Sequence, residues 1–504
     1  MRRALLLAGA ALALSVAGLT GCTSGSSNDP AASVTPVPGD DPALAQYYNQ
    51  PLDWKPCGEP SVCATIKVPL DYSKPDGKQI ELSLLKTPST GDASQGSLLV
   101  NPGGPGVSGK DYARNADAYF TPDIMKNFDV VGWDPRGVGD STAIKCISDS
   151  DLDTLIAADG TPDNPAEVAR LRSLARGFVS GCVKESGGLL AHVGTADSAR
   201  DMDIIRSVLG EEQLDYFGAS YGTLLGATYA DQFPNRVGRF VLDGAVDPTI
   251  GSEQLGKLQA QGFETAFNAF VEDCLKRTGC PVGPTVADAR QQVSELLQKA
   301  DASPLPTGTS RPLTEALATT GIFSALYSQQ YGWPALRVGL QRALAGDGSV
   351  LLKLADIYTE RNDDGTYQSN INEAFPAISC ADEPTNQSVA RIVKDSRTWQ
   401  RVAPLFGESF AWGQYTCSIW PLPATHPKAL HAQGSAPILV VGTTRDPATP
   451  YEWAVSLSKQ LDNGVLLTRD GDGHTGYNSG NTCVDQTVDD YLVNGTVPPD
   501  GKTC

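Results

Sequence analysis

The sequence predicts an α/β protein: a central, mostly parallel sheet whose chain is interrupted by an inserted helical cap. Three observations predict it. Short runs rich in Val, Leu and Ile, clearest at 79–85, 97–101, 128–133, 214–218, 239–243, 437–443 and 465–469, are closed by Gly, Pro or Asp turns, with helical-period stretches between them. Four of these runs end beside glycine-rich turns, and loops at the carboxyl ends of strands in open α/β sheets carry the ligands. Between Pro248 and Phe406 the strand signal fades and helical patterns dominate, as at 263–275, 286–300 and 335–344, before strand character returns at Pro437 and a last helix closes the chain near 484–492.

Composition allows such a fold and narrows its partners. The 504 residues are 40% hydrophobic and only 19% charged, enough apolar side chain for a large core. With 51 glycines and 35 prolines, a helical bundle is excluded and a turn-rich enzyme is not. The formal net charge of -19 repels phosphate backbones, so nucleic acid is not an expected partner.

The first element is an export signal, residues 1–21. Arg2 and Arg3 precede an apolar run from Ala4 to Leu19 that is short for a membrane span. Leu19-Thr20-Gly21-Cys22 resembles the bacterial lipobox, which implies cleavage before Cys22 and acylation of its thiol, anchoring the protein to the outer face of the cell membrane. Residues 22–45, rich in Ser, Thr, Pro, Asp, Gly and Ala without periodicity, read as a flexible tether. Apart from Cys22, ten cysteines remain, an even number suited to an oxidising compartment. Proximity in the chain suggests Cys57 with Cys63, Cys146 with Cys182, Cys274 with Cys280, Cys380 with Cys417 and Cys483 with Cys504. With no CxxC pair and four histidines, a metal site is not expected, and nothing calls for a cofactor.

The chemistry is concentrated in a few turns. Gly218-Ala219-Ser220-Tyr221-Gly222 stands between a strand and a helical stripe, where a sharp turn exposes the serine and leaves no room for flanking side chains. Asn101-Pro102-Gly103-Gly104-Pro105-Gly106 follows an early strand and lets backbone N–H groups approach a substrate oxygen, so the oxyanion hole is assigned to the amides of Gly104 and Tyr221. Serine needs a base. The chain order Ser, acid, His removes His192; His426 and His431 precede any late acid, leaving His474 in Gly471-Asp472-Gly473-His474-Thr475-Gly476. Asp446, directly after a late strand, is the preferred orienting acid, with Asp472 its rival.

Taken together, Val68-Pro69-Leu70-Asp71-Tyr72, the 101–106 loop, Gly132-Trp133-Asp134-Pro135-Arg136-Gly137-Val138-Gly139-Asp140-Ser141, the 218–222 turn, Val241-Leu242-Asp243-Gly244, Ala377-Ile378-Ser379-Cys380-Ala381-Asp382 and Arg445-Asp446-Pro447-Ala448-Thr449-Pro450 resemble the exported tripeptidyl aminopeptidases of actinobacteria, a prolyl-iminopeptidase-like branch of the α/β hydrolases. The resemblance spans residues 54–504. It implies an α/β-hydrolase fold, with core segments 46–247 and 407–504 around a cap at 248–406, and a triad of Ser220, Asp446 and His474. It also implies release of tripeptides from peptides with a free N-terminus. Such an exopeptidase needs a carboxylate to hold the substrate ammonium, and Asp382 and Glu383 are the candidates, against the alternative of an ordinary acidic surface pair. Asp134 and Arg136 are read as structural supports of their loop. A carboxylesterase or lipase on the same fold, and a non-catalytic binding lipoprotein, are the competing readings.

Overall fold

In the computed structural model the apolar runs pair into one sheet, described here for residues 39, 41–383, 385–424 and 428–504. Its ten strands are β1 (Lys55–Pro56), β2 (Val62–Pro69), β3 (Gln79–Thr87), β4 (Ser97–Asn101), β5 (Asp129–Trp133), β6 (Leu214–Ala219), β7 (Val237–Asp243), β8 (Ile438–Arg445), β9 (Gly464–Asp472) and β10 (Lys502–Thr503). They lie in the order β1-β2-β3-β5-β4-β6-β7-β8-β9-β10. The first strands and the β3–β5 pair are antiparallel, and every pair from β5 through β4 to β10 is parallel. The central strands read as mostly apolar runs because both faces are covered. Leu99, Val131, Tyr216 and Leu242 enter the core on one face, while Leu98, Val100, Phe217 and Val241 enter that on the other.

The edges were less visible. In β2, Val62, Ala64, Ile66 and Val68 alternate inward with the more exposed Cys63, Thr65 and Lys67, a half-buried pattern that a search for apolar runs passes over. β10 is only two residues long.

Helices fill the long connection between β7 and β8, from Ser252–Leu275 to Tyr415–Ser418. They have their own core, with Phe263, Phe267, Phe270, Leu317, Trp333 and Leu336 buried together. The cap boundary read at 406 falls inside this run: Gly407–Gly413 and Tyr415–Ser418 are helical, and Trp412 and Tyr415 pack on Ala175 and Ile392. A further excursion between β5 and β6, with helices Asp149–Ile156 and Pro165–Ser186, was not anticipated.

Part of the stretch read as tether is docked. Asp41 caps a turn at Pro42–Leu44, and the following helix Ala45–Tyr48 buries Tyr47 and Tyr48, whose hydroxyls donate to Pro75 O at 2.6 Å and Asp203 Oδ2 at 2.8 Å. Two tyrosines and a leucine supply apolar area that a Ser/Pro-rich tether lacks. Cys22 and the signal segment lie outside the described residues.

All five expected disulfides are formed, which fits an oxidising compartment. Among the described residues no helix is long and apolar enough to cross a membrane.

Candidate active site

Three strand ends meet at the carboxyl edge of the sheet. After β6 the chain turns sharply at Ser220, whose φ of 55° is a conformation that L-residues rarely hold outside strained functional turns. The helix Tyr221–Gln232 starts immediately behind it. The flanking glycines are required sterically: a Cβ on Gly222 would sit 2.6 Å from Asn101 O, and one on Gly218 would collide with Gly222 O. The Ser220 N–H donates to Asp243 O at 2.9 Å, tying the turn to the end of β7.

The 101–106 loop presses against this elbow. A Cβ on Gly103 would lie 2.8 Å from Tyr221 N and 3.0 Å from Ser220 Cβ, so glycine alone permits the approach. Asn101 Oδ1 accepts from Gly103 N at 2.9 Å and fixes the loop. The Gly104 and Tyr221 amides thus belong to the two segments that flank the serine.

Asp446 and His474 come together across the ends of β8 and β9. His474 Nδ1 is 2.9 Å from both Asp446 carboxylate oxygens, and Thr449 Oγ1 is 3.3 Å away. Asp446 is buried and accepts further bonds from the N–H groups of Ala448, Thr449 and Thr475. Asp472, the rival acid, is bound instead to Arg445, at 2.7 Å from Nε. Burial disfavours the imidazolium of His474, but the Asp446 charge and hydrogen bond, with Asp243 beyond, outweigh it and hold the pKa above its ordinary value. The cap contributes too: Tyr327 O accepts from His474 N at 2.8 Å, and the Tyr327 ring stands edge-on to the imidazole at 5.3 Å. Ser220 and His474 border one turn, since Asp243 O binds Ser220 N and a Cβ on the next residue, Gly244, would lie 3.2 Å from His474 Cε1. Among the described residues no hydrogen bond joins Ser220 Oγ to the imidazole. His192 pairs with Asp197, His431 with Gln460 O, and His426 lies outside the described residues.

Asp243 was not found from sequence. Its carboxylate accepts from Gly476 N at 2.8 Å and Tyr477 N at 2.9 Å, so one residue holds the serine turn by its carbonyl and the histidine loop by its side chain. Burial pushes its pKa up to about 6. The signal available was its position at the end of β7 in Val241-Leu242-Asp243-Gly244, which reads equally as a strand end.

The acidic pair divides. Asp382 accepts from Thr195 N at 2.7 Å and Thr195 Oγ1 at 2.6 Å, and Thr195 Oγ1 in turn contacts the Tyr221 hydroxyl. Glu383 Oε2 is buried with no partner among the described residues, and burial with the neighbouring Asp382 charge pushes its pKa up to about 7. Asp134 and Arg136 serve their loop: Asp134 accepts from Ser108 Oγ and Asp140 N, and Arg136 forms a buried two-pronged pair with Asp201. Among the described residues no group of side chains could hold a metal ion.

A serine at a strained strand–helix elbow after β6, with an Asp–His pair beyond the ends of β8 and β9, defines a serine hydrolase of the α/β-hydrolase fold. Residues 403–504 match the family described as TAP-like protein. The chain is 40% identical over 477 residues to serine protease Hip1 of Mycobacterium tuberculosis, covering 90% of this chain and 91% of that one. It is 39% identical over 456 residues to carboxylesterase B of the same organism, covering 88% and 86%. With the tripeptidyl aminopeptidase of Streptomyces lividans it shares 32% over 482 residues, covering 92% and 88%. The chain belongs to this tripeptidyl-aminopeptidase-like family of α/β hydrolases, and it is an enzyme.

Proposed function

We propose that the protein is a serine exopeptidase that releases tripeptides from the free N-terminus of peptides. Ser220 Oγ attacks the carbonyl carbon while His474 Nε2 takes its proton; Asp446 orients the imidazole, and the Gly104 and Tyr221 amides hold the oxyanion. His474 then delivers the proton to the leaving amine, and water hydrolyses the acyl-enzyme by the same route. Cys22, once acylated, holds the exported enzyme at the membrane.

The observation that carries the exopeptidase reading is the buried oxygen of Glu383, without a partner among the described residues, beside a carboxyl already committed to Thr195. A buried acceptor without a donor costs free energy, and a substrate ammonium would supply the donor. Placement supports the tripeptide. The helix Ile371–Asp382 meets the oxyanion loop at Ala374, whose Cβ would be 3.0 Å from a Cβ on Gly106. Glu383 lies nine residues further along, roughly 13 Å at 1.5 Å per helical residue. Three extended residues span roughly 10 Å. The names of two relatives, serine protease and tripeptidyl aminopeptidase, favour peptides; carboxylesterase B, at 39% identity, keeps ester hydrolysis as the second reading.

The test is hydrolysis of a tripeptide anilide beside its N-acetylated twin by the mature protein, Ser220→Ala and Glu383→Gln. Cleavage of the free-amine substrate alone, abolished in S220A and with KM raised about tenfold or more in E383Q, is expected for a charge-assisted anchor. Equal cleavage of both substrates would move the assignment to an endopeptidase or esterase.

A further inference from the structure

Three large hydrophobic side chains stay exposed on the two cap helices that approach this site. Ile357 is 62% exposed, Tyr358 39% and Phe375 45%, although all three are large hydrophobic residues on ordered helices. They form one rim. Asn372 Nδ2 donates to Thr359 O at 2.7 Å, tying the start of the Ile371–Asp382 helix to the end of the Ser349–Tyr358 helix. The rim also touches the chemistry at both ends. The Phe375 backbone N would be 3.2 Å from a Cβ on Gly106, in the oxyanion loop. The Tyr358 ring packs on Tyr327 at 5.9 Å and edge-on to Phe323 at 4.8 Å, and Tyr327 packs on the His474 imidazole.

The side of the site follows from the reaction. The base returns its proton to the departing amine, so the leaving part of a substrate lies next to His474. Glu383 lies at the other end of the helix that carries Phe375. An apolar patch continuous with a catalytic centre marks a place where apolar surface is buried on binding. We infer that Ile357, Tyr358 and Phe375 form a leaving-side subsite that selects substrates with a large apolar or aromatic residue immediately after the scissile bond. This rests on the exopeptidase reading for its peptide form.

The experiment compares kcat/KM for free-amine tetrapeptides that share three N-terminal residues and end in Phe, Leu, Gly or Asp, in the wild type and in Ile357→Ser, Tyr358→Ser and Phe375→Ser. The wild type should prefer Phe and Leu over Gly by about tenfold, as expected from partial burial of such a side chain, with Asp lowest. Each variant should shrink the Phe-to-Gly ratio towards one, and the ratio rather than the absolute rate is the readout. A wild type indifferent to the fourth residue, or a preference untouched by all three variants, would overturn the subsite. If no peptide is cleaved the exopeptidase reading itself fails, and benzyl against methyl esters are then compared. A benzyl preference lost in Y358S would still support the apolar leaving side, and equal rates would overturn it.

Discussion

Asp243 shows how much of a hydrolase site can depend on a residue outside the proposed triad. Its carbonyl receives the Ser220 N–H, and its carboxylate receives those of Gly476 and Tyr477, just past His474. It also adds negative charge near the imidazole and raises its pKa. In Asp243→Asn a single acceptor oxygen must serve two N–H groups and the charge is gone. We expect kcat to fall about ten- to a hundredfold, the scale of misplacing a catalytic group. The acid limb of the kcat/KM profile should also move to lower pH, because loss of a nearby carboxylate destabilises the imidazolium. A rate loss with the acid limb unmoved would limit Asp243 to a packing role. Sequence alone could not have found it, for its side-chain bonds join residues more than 230 positions apart, while pattern reading sees neighbours within a turn or two.

At the scale of elements, the Ile371–Asp382 helix joins the 101–106 loop to the acidic pair and is clamped by the Cys380–Cys417 bridge. A 37-residue separation predicts about 4 kcal/mol of stabilisation through the unfolded chain. The double variant Cys380→Ser/Cys417→Ser should therefore melt at lower temperature. If the helix sets the distance between Glu383 and Ser220, KM for free-amine peptides should rise several-fold more than KM for simple esters; a parallel change in both would show that the clamp serves stability alone. Elements of this kind differ in what their sequence discloses. The strands β4 to β8 are readable because both faces are buried and most of their residues are apolar, and the Ser220 elbow because two glycines are sterically obligatory. The half-buried β2 alternates and blends with polar surface. Helices at 407–418 are short, and they are held by packing on Ala175 and Ile392 that no local periodicity encodes. Likewise Asp382 and Glu383 are adjacent in sequence yet differ in chemistry only because Thr195, far away in the chain, binds one and not the other.

Over the whole molecule, activity and stability should pull in opposite directions with pH. Burial raises the carboxyl groups of Asp243 and Asp382 to about 6, and those of Glu315 and Glu383 to about 7. In each case the folded state holds its proton more tightly than the unfolded chain, where these groups titrate near 4. Their contribution to stability is thus fully present below about pH 4 and lost as pH rises through 6 to 7. For Asp243, 1% exposed, the shift of about two units corresponds to about 3 kcal/mol. His474, also raised, adds the same sign, and fewer ionised carboxylates relieve the repulsion of a chain carrying -19. Carboxylates held low by cations, such as Asp273 beside Arg277, act oppositely but only near and below pH 4. The melting temperature should accordingly rise by several degrees from pH 8 to pH 5, then turn down on further acidification. Turnover should do the reverse, failing at pH 5 because His474 is protonated there and serine has no base. Thermal melts of Ser220→Ala across pH 4 to 8, free of self-digestion, measure this directly, and a melting temperature that is flat or falls between pH 8 and pH 5 would mean that the buried carboxyls find compensating partners in solution.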